Sequence, residues 1–192
     1  MASPRRDHLV DTALKLFCQN GFRATGIDKV LAESGVAKKT LYNHFRSKDE
    51  LVVAALKQRD EEFLRMVKEA VPRLVADQGG DERLARALAF FDVLDEWFHA
   101  PDFNGCTFIN ASAEYPRQDD PVHVACAEHK RLVIQVVEEL LAGLPLADTH
   151  LVARQLAVLA DGAIVNAHTA GDLEAAALAK TAARQLLEGY LA

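Results

Sequence analysis

No apolar run in the chain approaches the roughly 18 residues that a membrane-spanning helix needs. The start, Met1-Ala-Ser-Pro-Arg-Arg, also lacks the apolar stretch of a secretory signal, so a cytoplasmic protein with no membrane partner is expected. Cysteine is scarce: Cys18, Cys106 and Cys126 are odd in number, widely spaced and without a CxxC pair, which argues for free thiols over a disulfide framework. Period-two alternation is missing, which excludes a sheet protein. Also absent are GxSxG, HExxH, a phosphate loop and a dinucleotide fingerprint. His99, Glu114 and His129 could serve as acid and base, but no motif organises them, so neither catalysis nor a cofactor is expected. Cys126 and His129 lie one turn apart with no two further donors at partner spacing, which favours a core pair over a metal site. Around Cys106 the sequence supplies no basic neighbour to lower the thiol pKa, which argues against a redox role.

What the chain does have is 192 residues, half of them hydrophobic, enough for a small domain joined to a larger one. Its formal charge of −6 is unevenly spread. Residues 1–48 carry nine Lys and Arg against four Asp and Glu, whereas 49–192 carry thirteen against twenty-four. A basic head on an acidic body suits a protein that presents one end to phosphates.

Apolar residues recur three and four apart almost throughout, so the fold class is read as all-α. A first helix over about 5–19 stops at Asn20-Gly21. Thr25-Gly-Ile-Asp28 has capping-box spacing and opens a short helix that ends at Gly35, and a third short helix covers Lys38 to His44. Ser47-Lys-Asp-Glu50 is a second capping box at the head of a long connecting helix, 48–76, which Pro72 begins to disturb near Val71. Gln78-Gly-Gly-Asp81 is the best linker candidate. Further helices are expected over about 81–99, 104–115, 121–142, 148–170 and 172–190, with Asp120 and Pro121 opening one and Gly143 and Gly171 closing two. The domain division is 1–47 for an N-terminal three-helix unit and 48–192 for a larger helical domain.

Helices of these lengths joined by a tight turn at Gly35 fit a helix-turn-helix. Val30, Val36, Leu41 and Phe45 would face inward and leave Lys38, Lys39, Thr40, Tyr42, Asn43 and His44 for the major groove. Phe17, Gly21, Thr25, Gly35-Val36, Thr40-Leu41-Tyr42, His44-Phe45, Lys48 and Leu51 together resemble the signature of the TetR family of transcriptional regulators. The resemblance spans roughly residues 5–55. It implies a homodimeric repressor of palindromic operator DNA, released by a small-molecule effector bound in the C-terminal domain. It further implies that Lys38, Lys39 and Thr40 approach base edges while Thr25, Tyr42, His44 and Lys48 meet phosphates. Thr25 and Lys48 stand at expected helix N-termini, which attract anions. Ala37 departs from the family's usual Ser or Thr cap, and Leu31 from a small Ala.

Seven of the thirteen aromatics fall between residues 90 and 115. That concentration suggests an apolar effector pocket lined by Trp97, Phe98 and Phe108, with Asn110, Glu114 and His168 as polar contacts. On the helix from about 148, Leu156, Leu159, Ala160, Ala163, Ile164 and Ala167 form a small-residue stripe suited to close helix packing, read as part of the dimer interface.

Overall fold

The computed structural model describes residues 4–76 and 79–191. Residues 1–3, within the stretch read for a signal, and Gln78, the first residue of the expected linker, lie outside the described residues. Among those described there are nine helices and no strand: α1 Pro4–Asn20, α2 Ile27–Ser34, α3 Lys38–His44, α4 Lys48–Ala76, α5 Glu82–Phe98, α6 Thr107–Glu114, α7 Pro121–Leu140, α8 Thr149–Ala170 and α9 Ala175–Leu191. The fold is all-α, as the periodicity requires.

Local chemistry sets most boundaries. Asp81 caps α5 through the Arg83 N–H, Asp120 accepts from the Val122 N–H ahead of α7, and Asp148 caps α8 through the Leu151 N–H. Gly35 and Gly171 stop α2 and α8 in the left-handed conformation that glycine adopts without steric penalty. The capping box at 47–50 forms with a shift of one residue. Ser47 Oγ accepts from the Glu50 N–H at 3.1 Å, but the Glu50 carboxylate reaches back to the Arg46 N–H, at 2.7 Å.

Other boundaries correct the reading from sequence. No side chain caps α2; its N-cap is Gly26, because the Thr25 hydroxyl turns inward to the carbonyls of Leu16 and Gly21 at 3.3 and 2.7 Å. The long helix reaches Ala76, the bound expected for it, without the disturbance expected at Pro72; Val67, Ala70 and Val71 are buried just before the proline, and their packing carries the helix past the missing N–H. Two helices begin three residues later than expected. Gly105, at φ +71°, keeps the chain turned ahead of α6, and a Cβ there would lie 2.7 Å from the His168 ring. Ahead of α9, Asp172 accepts the Glu174 N–H in a turn of its own.

The chain forms two compact units, one of residues up to Glu62 plus Cys106–His129, the other of Phe63–Gly105 plus the residues from Lys130 onward. The expected head, 1–47, lies wholly in the first unit, which also takes the first half of α4, all of α6 and the start of α7. Within that unit α1 packs on α2 and α3. Leu9, Ala13, Phe17, Phe22, Val30, Leu41 and Phe45 are buried, with Phe17 and Phe22 stacked at 5.2 Å. Each large side chain so buried contributes about 1.5–3 kcal/mol. Within the second unit α9 packs on α8 and α5, and Lys180 ties α9 to α5 through both Asp92 oxygens at 2.6 Å.

The small-residue stripe of α8 has a different use from the one expected. Leu156, Ala160, Ala163, Ile164 and Ala167 are buried within the single chain, where small side chains let helices approach closely. Leu151, Val158 and Val165, seven residues apart on the same helix, are its large apolar residues left exposed.

Candidate nucleic-acid interface

Helix α3 is short and two-faced. Leu41 is fully buried and Phe45, its C-cap, nearly so, which anchors the helix from below. Lys38, Lys39, Tyr42 and Asn43 are exposed, and Thr40 and His44 are half-buried. The six residues expected at the major groove therefore share one short helix, with four of them well presented. Lys38 lies 3.5 Å from Asp28, but both side chains are largely solvated, and an exposed pair of this kind contributes little and gives way easily to a phosphate. Ala37 offers no side-chain cap, so the N-terminus of α3 is stabilised only through main-chain bonds to the Ala37 carbonyl.

Thr25 is placed otherwise than expected. Its side chain is fully buried and its hydroxyl engaged by main-chain carbonyls, so any phosphate contact at this position falls to its backbone N–H. Lys48 is half-buried at the start of α4, its Nζ donating to the Arg23 carbonyl at 3.1 Å. Burial is the main reason its pKa is lowered; Arg23 acts in the same direction, and Asp49 and Glu114 oppose.

Behind this face lies a joint for which the sequence has no local signal. The Glu114 carboxylate, at the end of α6, accepts the N–H groups of Phe22 and Arg23 at 2.8 and 2.6 Å, and Arg23 Nε donates to the Glu114 carbonyl at 2.6 Å. The Arg23 guanidinium sits 5.3 Å over the Tyr115 ring, and the Tyr115 hydroxyl donates to Asp49. Burial, with Asp49 adding, pushes that hydroxyl up to about 12. Gly21 completes the joint: it has φ +84°, and a Cβ there would stand 3.1 Å from Glu114 Oε1. Glu114, expected as an effector contact, is thus already engaged, and a ligand would have to break two charge-assisted bonds to use it.

The remaining effector candidates are divided between the units. In the second, Trp97, Phe98 and Phe103 form a cluster with centroids 5.0–6.0 Å apart, and the exposed His168 meets Phe103 edge-on. In the first, Asn110 is half-buried, and the buried Phe108 stacks flat on His129 at 3.5 Å.

Comparison with known proteins follows the same lines. The family described as "Bacterial regulatory proteins, tetR family" matches residues 9–55. A TetR-family transcriptional regulator from Streptomyces coelicolor superposes with a TM-score of 0.83 at 31% identity over 99% of this chain and 91% of that one. The chain belongs to the TetR family. This is a family of DNA-binding transcriptional regulators, which are not enzymes. The Escherichia coli repressor NemR is 28% identical over 71% of this TetR-family chain and 66% of its own length; its reduced form superposes with a TM-score of 0.81 over 95% and 96% of the two chains. The transcriptional activator FasR of Mycolicibacterium smegmatis is 36% identical over 47% of this chain and 41% of its own. The chain therefore spans well under half of that curated relative. Among the described residues no helix is long and apolar enough to cross a membrane.

One buried ionisable group of this TetR-family protein lends itself to a pH test. His129 Nδ1 lies 2.7 Å from Asp60 Oδ1, from α7 to α4. Burial is the largest single influence and pulls its pKa down, but hydrogen bonding and charge interactions with Asp60 and Cys106 together leave it raised above 6.5. A raised histidine adds stability in full below its unfolded value and loses it as pH climbs through the folded value. The gap in thermal midpoint between wild type and Asp60→Asn is therefore expected to be widest below about pH 6.5 and to narrow as pH climbs through the raised folded value. A gap constant over that span would show that the pair carries no charge.

Proposed function

We propose that the protein is a cytoplasmic homodimeric repressor that binds a palindromic operator through α3 and leaves it when a mainly apolar small molecule enters the domain over 48–192. The observation that carries the reading is the exposed polar face of α3, Lys38, Lys39, Tyr42 and Asn43, above the buried Leu41 and Phe45. A single short helix reads too few bases for operator specificity, so two heads related by symmetry are required. The dimer contact is assigned to the exposed apolar line of Leu151, Val158 and Val165 with Leu178 of α9. Beside Val158 runs an open groove of about 610 Å³, lined among others by Val133, Ile134, Leu151, Leu159 and Leu186. Ridge and groove on one face are what an isologous contact needs.

DNA selection with purified protein tests this. Lys39→Ala is expected to relax preference at one base pair of each half-site, by about 1–3 kcal/mol of discrimination. Lys48→Ala, with Tyr42 and His44 in the same phosphate-contacting set, should weaken binding to all sequences alike and lower the salt slope by about one. Identical sequence profiles for wild type and Lys39→Ala would remove α3 from base reading. The likeness to an activator supports a second direction of control, and a reporter assay separates the two: deletion raises expression from the operator for a repressor and lowers it for an activator.

A further inference from the structure

Helix α8 leaves one face uncovered within its own chain. Leu151, Val158 and Val165 run along it, and Arg154, Asp161 and Gly162 lie between them on the same face. The charges there are ordered: the cation Arg154 stands one turn before Val158 and the anion Asp161 one turn after it. Asp161 is held by Lys130 of α7 at 2.5 Å, and all three charged residues line the groove of about 610 Å³ beside Val158. Gly162 is exposed, and a Cβ added there would meet nothing within 4 Å. A glycine loosens a helix interior, and no contact among the described residues requires one at this position.

A second copy can lay its α8 on this face across a two-fold axis in two senses, parallel or antiparallel. Parallel pairing sets each residue on itself, so Arg154 meets Arg154 and Asp161 meets Asp161, and like charges repel. Antiparallel pairing inverts the order. Of the antiparallel registers, only the one with Val158 at the axis returns the apolar line to itself: Val158 then meets Val158, and Leu151 meets Val165. That register also brings Arg154 of each chain to Gly162 of the other, where the missing side chain leaves room for the arginine stem. Beside that glycine stands Asp161, of opposite charge.

We propose that this face takes a second copy of the chain with the two α8 helices antiparallel and crossing at Val158, and that two symmetry-related Arg154–Asp161 ion pairs select like chains as partners. The inference rests on the proposed homodimer and adds its register and its selectivity. Lys130 stays against Asp161, so each carboxylate is shared between a cation of its own chain and one of the other. A chain with the same apolar line but a reversed charge at either position is refused, because the pair that attracts becomes a pair that repels.

Cross-linking and mixing of full-length variants test the two parts, with mass measured by light scattering alongside. Val158→Cys is expected to form a disulfide-linked dimer under mild oxidation, beyond any that the native thiols give in the wild type. Leu151→Cys is expected not to, because its two copies stand about 21 Å apart along the helices in this register, outside disulfide reach. Arg154→Asp and Asp161→Arg should each weaken self-association by about ten- to a hundredfold, since every change counts twice across the axis. An equimolar mixture of the two should recover the dimer, and native mass spectrometry should find it to be the mixed species. A dimeric protein in which Val158→Cys fails to cross-link, or Leu151→Cys does cross-link, overturns the register while the homodimer stands. Charge variants that dimerise singly as well as the wild type, or that do not pair when mixed, overturn the selectivity. A wild type that is monomeric at micromolar concentration overturns the homodimer itself, and this inference with it.

Discussion

Val158→Lys is expected to turn the proposed dimer into a monomer and to lower operator affinity by about 10²- to 10⁴-fold, the advantage lost when two linked half-site contacts become one. Val158 is 71% exposed on α8, in line with Leu151 and Val165 at intervals of seven residues, and Leu178 on α9 is 63% exposed. Large apolar side chains exposed in line along one helix mark a surface that something covers. A lysine there extends into solvent from a position already 71% exposed, so thermal stability measured where both forms are monomeric should shift by no more than surface substitutions do, about 0.5 kcal/mol. Ala160→Lys and Ala163→Lys would answer a different question. Those positions are 2% and 5% exposed inside the protomer, and a charge there is expected to unfold the chain. Light scattering at micromolar concentration distinguishes the outcomes. A Val158→Lys protein that remains dimeric with full operator affinity would move the interface elsewhere.

The contrast between Val158 and Ala160 marks where the sequence stops being legible. Periodicity locates the helices, and caps such as Asp120, Gly35 and Gly171 locate several of their ends, because these signals act within a few residues. The amphipathic character of α3 is local in the same sense, since Leu41 and Phe45 must turn inward together. Which partner buries a stripe is not local. The small residues of α8 suit any close helix neighbour, and packing within the protomer takes them. Thr25 is a related case: its spacing to Asp28 matches a capping box, yet two carbonyls in the interior compete for the same hydroxyl and win. His129 and Asp60 are 69 positions apart, and Glu114 is more than 90 from the amides it holds, so only the folded chain reveals either contact.

That last contact carries the second large effect. Glu114→Ala removes both acceptors of the Phe22 and Arg23 N–H groups, directly after the end of α1, together with the carboxylate that Gly21 leaves room for. Hydrogen bonds to a charged group contribute about 1.5–3 kcal/mol each, and partial solvation of these two brings the expected loss to about 2–3 kcal/mol for the pair. For a chain of this size that lowers the thermal midpoint by about 4–12 °C. Glu114→Gln keeps one uncharged acceptor but sets its NH2 against the other N–H, and should recover only a small part of the loss. Arg23 also carries the carbonyl that holds Lys48 and the guanidinium over Tyr115, so loosening it disturbs the start of α4 as well. Operator affinity is expected to fall in Glu114→Ala even though Glu114 is not among the residues proposed to touch DNA. Hydrogen exchange gives the local readout: the amides of Phe22 and Arg23 should exchange faster in the variant, while those in the middle of α8 stay protected. If both amides remain as protected as in the wild type and the thermal midpoint does not move, Glu114 does not brace the head, and its carboxylate is available to an effector after all.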